Sequence, residues 1–341
     1  MADVDPDLVD LIESVFERHH DTNNEVHGPL ALDDELWSVL AESGLTRLTE
    51  PEESGGSGAT WLEAAVLLSA AGEHLATVPL AESDLLAGYL LDAAGLARDG
   101  AMRTACVLDA DGSATAVPWA GRVERITVAW DADGWRVADV PADSVHITPG
   151  VNLASEPREG VRVDLSTLHG APVPESVVDG FTLRGALARS IAACGALDRV
   201  LAICVEHTTS RVQFGRPLAK FQAVQAMVAA IATESALARA ATENAVSLVA
   251  DSDWQDPGVA FAVAAAKSTS AHAASLVARK AHQSLGAIGF TMEHELHRYT
   301  NRLLSWRSEF GSVRYWDDRL TDAAVAAGGG ALWPLIEGNS M

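Results

Sequence analysis

Residues 208–228 read TTSRVQFGRPLAKFQAVQAMV and lie between two alanine-rich stretches that contain no proline. In a chain with 47 acidic and 24 basic side chains, this segment gathers two arginines, one lysine and two phenylalanines around Gly215 and Pro217. Because glycine and proline interrupt helices, the segment predicts a junction between two helices. Arginine and amide side chains bind anions well, so the same junction is also a candidate binding site.

The overall composition indicates a soluble globular protein. Of 341 residues, 48% are hydrophobic and 21% are charged, and the formal net charge is −23. This charge repels nucleic acid and anionic membranes, since binding to either needs clustered Lys and Arg. We therefore expect no nucleic-acid partner and no membrane partner. An anionic ligand would need a local basic cluster that acts against the global field.

The N-terminus and the cysteines indicate a cytoplasmic protein. MADVDPDLVD has neither the basic n-region nor the apolar h-region of a signal peptide. No uncharged apolar run approaches the roughly 18 residues that a membrane span needs. Cys106, Cys194 and Cys204 follow no metal-binding spacing, so we expect reduced thiols.

Apolar periodicity divides the chain into three domains and a tail. Residues 1–100 repeat apolar side chains at three- and four-residue spacing, which predicts a helical domain. Residues 101–180 alternate and carry two Asp-Ala-Asp-Gly turns, which predicts a β domain with two hairpins. Residues 181–320 return to the helical period and predict a bundle of long helices. The glycine-rich residues 321–341 are expected to be irregular, and the fold class is mainly α with a small β domain.

This domain order and several short motifs resemble the acyl-CoA dehydrogenase family. RVQFGRPLAKFQAVQ (211–225) is similar to the family's Arg-x-x-Phe-Gly segment and the glutamine that follows it. HQSLGAIGF (282–290) is similar to its Gln-x-x-Gly-Gly-x-Gly-Phe motif, and ELWSVLAESG and PEESGGSG are looser matches. The resemblance implies a flavoenzyme fold: an N-terminal helical domain, a reduced middle β domain and a C-terminal four-helix bundle. It also implies FAD-dependent α,β-dehydrogenation of an acyl-CoA thioester.

The resemblance implies that the two C-terminal motifs cross a subunit interface to the adenylate half of a neighbour's FAD. Arg211 would meet the pyrophosphate, and Ala287 stands where the family usually has a second glycine. Taken alone, Arg211 also suits a solvated helix end and Phe214 also suits a core position. The implied cofactor-binding residues are Arg211, Gln213, Phe214, Phe221, Gln222, Gln283, Gly286 and Ala287.

The family's catalytic glutamate has no counterpart at either of its two usual positions. In the first helix of the bundle, Ala188 precedes the arginine where some members have the glutamate. Farther along, Phe310 precedes a glycine and Glu309 lies one residue early, which on a helix turns a side chain by about 100°. Glu309 is therefore a weak candidate base, and the alternative is a solvated partner for Arg307 or Arg302.

The middle domain also lacks the family's flavin-cradling loop and its Trp-x-Thr/Ser strand. VPWAGRV (117–123) supplies a tryptophan without polar neighbours. These losses, with GFTMEHELHRY (289–299), resemble the short subunit of actinobacterial heteromeric (α2β2) dehydrogenases of steroid side-chain CoA thioesters. That likeness implies a second acyl-CoA dehydrogenase-like subunit, which carries the flavin pocket and the catalytic Glu. Two alternatives stay open: a self-sufficient homomeric enzyme that uses Glu309, and a purely structural subunit.

The segment MEHELH raises the possibility of a metal site. His294 and His297 are three residues apart, with Glu293 and Glu295 beside them, and this spacing can present ligands on one helix face. It is not a His-Glu-x-x-His motif, and the sequence offers no second ligand pair. We therefore expect structural histidines and no metal.

Overall fold

The computed structural model describes residues 4–19 and 28–337, in which helices precede and follow a group of short strands. The helices are α1 (Pro6–Arg18), α2 (Asp34–Glu42), α3 (Trp61–Glu73), α4 (Gly88–Ala93), α5 (Ser176–Ser210), α6 (Gln222–Ser252), α7 (Val259–Leu285), α8 (Leu296–Trp306) and α9 (Val313–Glu337). The strands are β1 (Arg103–Val107), β2 (Ser113–Pro118), β3 (Arg125–Asp131), β4 (Trp135–Pro141), β5 (His146–Thr148), β6 (Arg158–Arg162), β7 (Ala171–Pro172), β8 (Val212–Gln213) and β9 (Arg216–Pro217). The predicted class, mainly α with a small β region, is confirmed.

The chain folds into two compact units, and two of the boundaries between them lie inside helices α3 and α5. The helical unit comprises Met1–Glu25, Ala65–Leu75 and Ala186–Met341. The mixed unit comprises Val26–Ala64 and Ala76–Gly185 and contains β1 to β7. The three consecutive domains inferred from the sequence stay a prediction.

Local sequence signals set the ends of the early helices. Asp33 caps α2, because its carboxylate accepts the backbone N–H of Leu36 at 2.8 Å. Asp5 caps α1 in the same way through the N–H of Asp7. The predicted helix at 82–95 begins as a π-helical segment, Ala81–Ala87, that continues into α4. These helices agree with the periodicity of the sequence.

The mixed unit contains two sheets, with strand orders β1-β3-β4-β7 and β2-β6-β5. β3 and β4 form the hairpin predicted at Asp131–Gly134. The first Asp-Ala-Asp-Gly turn does not make a hairpin, so that prediction was wrong. β1 pairs in parallel with β3, and β2 pairs with β6 in the other sheet. The local turn forms as expected, but burial of β1 determines which strand it pairs with.

Helices α5 to α8 share one hydrophobic core in the helical unit, which also includes Leu75. Residues such as Leu197, Ile231, Val277 and Leu303 are almost completely buried. Small residues let α3 and α5 come close. A Cβ on Gly195 would overlap the carbonyl oxygen of Ser69, and one on Gly72 would overlap that of Ala192. The two backbones are therefore in direct contact.

The C-terminal segment differs from the sequence expectation. Residues 313–337 are helical, with one break at Gly328, where φ is +68°. Helix, rather than the expected irregular chain, therefore continues to Glu337, and residues 338–341 lie outside the described residues. Glycine lowers helix propensity but does not forbid helix, and Ala, Leu and Trp side chains support it here.

Across the described ranges, no helix is both long enough and apolar enough to cross a bilayer.

Gly195→Ala should destabilise the protein although alanine favours helix. The added methyl meets a backbone carbonyl that cannot move aside, so we expect a loss of about 1–3 kcal/mol. Thermal unfolding measures the change. Gly330→Ala is the matched control, because its Cβ would meet nothing within 4 Å, and the helix should gain up to about 1 kcal/mol. Equal effects of the two substitutions would contradict the close packing of α3 and α5.

Candidate functional site

Strands β8 and β9, of two residues each, form a short β-hairpin between α5 and α6. Val212 pairs with Pro217 and Gln213 with Arg216. The turn residues Phe214 and Gly215 have φ values of +52° and +77°. Positive φ at both central positions is typical of hairpin turns of type I′, which rarely place a phenylalanine there. This conformation costs a bulky residue free energy, and Phe214 adopts it at the exposed tip of the hairpin.

Arg211 lies at the base of this hairpin with its charge available. Its backbone N–H donates to His207 O, and its carbonyl accepts from Leu218 N–H, both at 2.9 Å. Its side chain is exposed, and among residues 4–19 and 28–337 no carboxylate pairs with it. Gln213 and Gln222 are exposed beside it. The N-terminus of α6 at Gln222 adds partial positive charge to the same junction.

Three further side chains give the junction an aromatic surface. The guanidinium carbon of Arg216 lies 4.2 Å from the Phe221 ring centroid. The rings of Phe214 and Phe221 meet edge to face with centroids 6.2 Å apart. Phe214 is 92% exposed, which few phenylalanines are without a partner molecule. Arg216 was not in the predicted set, although its position beside Gly215 in an acidic chain could have indicated it.

The second predicted motif forms the turn that ends α7. Gln283 lies exposed on the last turn of the helix, and Gly286 follows it with φ +69°. A Cβ on Gly286 would meet nothing within 4 Å, so the backbone is open to a ligand there. Ala287 is exposed in the short 3₁₀ segment Gly286–Phe290. The turn is therefore accessible even with alanine in place of the second glycine.

Contacts between α5 and the segment after this turn bring the two motifs to one end of the helical unit. His207 and His294 meet edge to face with ring centroids 6.4 Å apart. Arg199 donates to Glu295 at 2.8 Å. Burial, helped by His294 and Arg211, lowers the pKa of His207. The predicted residues at 211–222 follow His207 along the chain, and those at 283–287 precede His294, so both groups adjoin the His207–His294 contact.

This arrangement fits one half of a dinucleotide. The unpaired guanidinium and the free amides supply donors for a pyrophosphate, and the open glycine lets a planar or anionic group approach the backbone. Exposed aromatic rings suit a nucleobase. The fit rests on donor chemistry and open space within the helical unit alone.

Glu309 occupies a different place from the one expected. It is not the solvated side chain that the sequence suggested, because it is largely buried. Its Oε2 accepts a hydrogen bond from Arg189 Nε at 2.6 Å, and the two side chains are only 17% and 9% exposed. The structure thus joins Glu309 to the arginine that follows Ala188, the other position considered for a base, across 120 residues. The guanidinium engages the carboxylate as an ion pair.

The turn that carries Glu309 is anchored from two other helices. Lys267 of α7 is fully buried and its Nζ donates to Trp306 O at 2.6 Å. Burial lowers the pKa of Lys267 to about 7. Trp316 Nε1 of α9 donates to Phe310 O at 3.1 Å. Lys267 was missed because a lysine in an alanine-rich helix gives no sequence signal of burial.

The tryptophan of the VPWAGRV segment lies in the interior of the mixed unit. Trp119 is buried in the core with Val117, Ile126 and Val161. The charged residues that line a separate cleft in this unit pair with one another. Arg47 pairs with Glu50, Arg98 lies 3.6 Å from Asp84, and Arg103 pairs with Asp99 at 2.6 Å.

Among the described residues, no group of three or more His, Cys, Asp or Glu side chains could hold a metal ion. His297 Nδ1 lies 2.8 Å from His294 O, and the backbone N–H of Leu296 donates to His294 Nδ1 at 3.1 Å. The histidines of MEHELH therefore form local structural contacts.

Comparison with known proteins identifies similar chains. Residues 9–97 match the model of the acyl-CoA dehydrogenase N-terminal domain, and residues 177–313 match that of the C-terminal domain. The chain is 30% identical over 281 residues to acyl-CoA dehydrogenase IpdE2 of Mycobacterium tuberculosis, covering 79% of this chain and 80% of that protein.

Two solved structures have a similar fold. The ChsE4–ChsE5 complex of M. tuberculosis contains a chain that superposes with a TM-score of 0.81 at 23% identity, over 94% of this chain and 96% of that one. The structure described as a Tcur3481–Tcur3483 steroid ACAD G363A variant gives 0.82 at 22% identity, over 95% and 98%.

Glu309→Gln should destabilise the chain, because it leaves the Arg189 guanidinium nearly buried without its charge partner. Losing one member of a buried ion pair costs on the order of 3–5 kcal/mol. Asp318→Asn is the matched control, since the Arg314–Asp318 pair is exposed and contributes less than about 1 kcal/mol. Denaturant unfolding measures the free energy of unfolding of both variants. Equal small losses of stability would show that the Glu309–Arg189 pair does not stabilise the fold.

Asp84→Asn should stabilise the protein at neutral pH and lose that advantage in acid. Burial raises the pKa of Asp84 from 3.8 to about 6, although Thr49 and Arg98 act in the opposite direction. The stability linked to this group is fully present below pH about 4 and is lost as the pH rises through 6. Asparagine has no such loss and can still accept from Thr49. Melting temperatures from pH 4 to 8 test this, with Asp318→Asn as control; a constant difference would contradict it.

Proposed function

The chain belongs to the acyl-CoA dehydrogenase family of FAD-dependent flavin oxidoreductases, and from this premise we propose that it shares one FAD with a second subunit. In this proposal, the helical unit binds the adenylate half of the cofactor. A partner of the same family carries the flavin pocket and the catalytic glutamate. The complex would dehydrogenate an acyl-CoA thioester between the α and β carbons.

The observation that carries the proposal is the unpaired Arg211 at the exposed aromatic hairpin. The exposed Arg211 guanidinium has no carboxylate partner among the described residues, so it is available to an anion that the net charge of −23 otherwise repels. A pyrophosphate accepts two hydrogen bonds from such a fork and would neutralise it. Gln213 and Gln222 would donate to the remaining phosphate or ribose oxygens. Gln283, Gly286 and Ala287 would border the adenosine from the end of α7.

The residues of this chain would bind and orient rather than transfer the α-proton. When bound, FAD accepts the hydride that leaves the β carbon. A general base must be free to take up a proton, and Glu309 is engaged by Arg189 at 2.6 Å. The burial of Trp119 in the mixed unit's core likewise favours a flavin ring held elsewhere. Both observations support a base and a flavin pocket on the partner.

The identity of the assembly and its substrate rests on likeness. One similar structure is described as a complex of two proteins and another as a steroid ACAD. We therefore propose a heterotetramer acting on a bulky steroid side-chain acyl-CoA in lipid catabolism. The three cysteines, free and buried, suit the reducing cytoplasm that we propose as its location.

Arg211→Ala should weaken FAD retention in the assembled complex by about 10- to 100-fold. A charge-assisted hydrogen bond contributes roughly 1.5–3 kcal/mol, and each 1.4 kcal/mol is tenfold. Flavin absorbance after gel filtration and a titration with FAD give the affinity. Arg314→Ala, which removes an exposed arginine on α9, is the matched control and should retain FAD.

Two outcomes of this experiment would favour other functions. Unchanged FAD affinity of the Arg211→Ala complex would indicate a purely structural subunit. A chain purified alone that is yellow and reduces a dye with acyl-CoA would indicate a self-sufficient enzyme. Loss of that activity in Glu309→Gln, with thermal unfolding to confirm that the variant is folded, would then identify Glu309 as its base.

A further inference from the structure

We propose that Phe290, backed by His282, is the stacking surface for the adenine ring of the nucleotide. This inference rests on the proposed function and adds a specific residue and ligand group to it. Neither residue was among those assigned to the cofactor from the sequence.

Phe290 presents one open face of a ring whose other face is supported. It is 72% exposed at the end of the Gly286–Phe290 turn. The ring lies over His282 with centroids 4.9 Å apart and planes tilted by 30°. A supported aromatic ring with a free face is the usual platform for a nucleobase, because stacking needs a flat surface that does not move away.

His282 fixes the turn that carries Phe290. Its Nδ1 lies 2.6 Å from Gly289 O, which can only accept, so Nδ1 carries the proton. Its Nε2 lies 2.9 Å from Thr300 Oγ1 on α8, and the threonine hydroxyl can donate to it. The backbone carbonyl of His282 accepts the N–H of Gly286. The ring and the carbonyl therefore hold both ends of the turn.

The neutral form of His282 suits this role. Burial lowers its pKa, with smaller contributions from His297 and His294, while the bond to Gly289 acts in the opposite direction. The neutral ring donates once and accepts once, which satisfies Gly289 and Thr300 together. His282 can therefore make both hydrogen bonds at neutral pH, with its imidazole uncharged.

The turn is tight on one side and open on the other. A Cβ on Gly289 would lie 2.9 Å from Leu285 Cβ, so this glycine packs against α7. Gly286, three residues earlier, borders open space. A nucleobase stacked on Phe290 would thus lie next to the backbone at Gly286, where no side chain blocks it.

Phe290 suits adenine better than Phe214, the exposed phenylalanine at the tip of the β8–β9 hairpin. Phe214 stands at a hairpin tip and meets Phe221 edge to face, so neither of its faces is backed by a ring. It lies three residues from Arg211, where the pyrophosphate is proposed to bind. Phe290 lies beyond the Gln283–Ala287 motif, which is proposed to border the adenosine.

The test uses ADP, which carries adenine without flavin, and inorganic pyrophosphate as a separate probe on the full chain. Saturation-transfer NMR reports contact with the adenine protons H2 and H8, and ³¹P line broadening reports pyrophosphate binding. Phe290→Leu should weaken ADP binding about tenfold or more and remove the adenine signal, while pyrophosphate binding stays unchanged. Phe290→Trp should retain ADP, and Trp333→Leu, an exposed aromatic on α9, should have no effect.

The outcomes separate this inference from the proposed function. If Phe290→Leu binds ADP as the wild type does, Phe290 does not stack on adenine, and pyrophosphate bound through Arg211 keeps the proposed function. If the wild type binds neither probe, both fail. His282→Leu tests the support: it should weaken ADP binding without affecting pyrophosphate, and thermal unfolding confirms that each variant is folded.

Discussion

An exposed arginine without a carboxylate partner, in a chain of net charge −23, is the constraint on which this account depends. Acidic side chains outnumber basic ones about two to one, and many of the described arginines are paired with a carboxylate, as Arg103, Arg189 and Arg199 are. Arg211 remains unpaired among the described residues, at a hairpin whose turn holds a phenylalanine at positive φ. An exposed guanidinium without an intramolecular partner is available to an anionic ligand, and the exposed phenylalanine offers an apolar surface on the same hairpin.

Charge pairing also holds the turn that carries Glu309. Arg189 donates to the Glu309 carboxylate at 2.6 Å, and buried Lys267 fixes the turn beside it. A catalytic base must be able to take up a proton at the working pH, whereas an arginine partner stabilises the ionised carboxylate. This pairing supports the proposal that the base belongs to a partner subunit.

Much of the fold could be predicted because its signals are local. The apolar periods of the helices and the turn at Asp131–Gly134 each involve neighbouring residues, and the predicted fold class and this hairpin are confirmed. The pairing of β1 with β3 was not predictable, since a parallel pair leaves no turn between its strands. The contact between Arg189 and Glu309 spans 120 residues, so only the folded chain reveals it. At the binding end, the motif residues came from family resemblance, whereas the support from His282 depends on how α7 and α8 meet.

A structure of this chain assembled with the proposed flavin-bearing partner would show whether the two share one FAD. We expect the Arg211 guanidinium to lie within hydrogen-bonding distance, about 3 Å, of the FAD pyrophosphate. The flavin ring of that FAD would be bound by the partner. A complex in which Arg211 faces bulk solvent, or in which this chain holds a complete FAD in its own mixed unit, would contradict it.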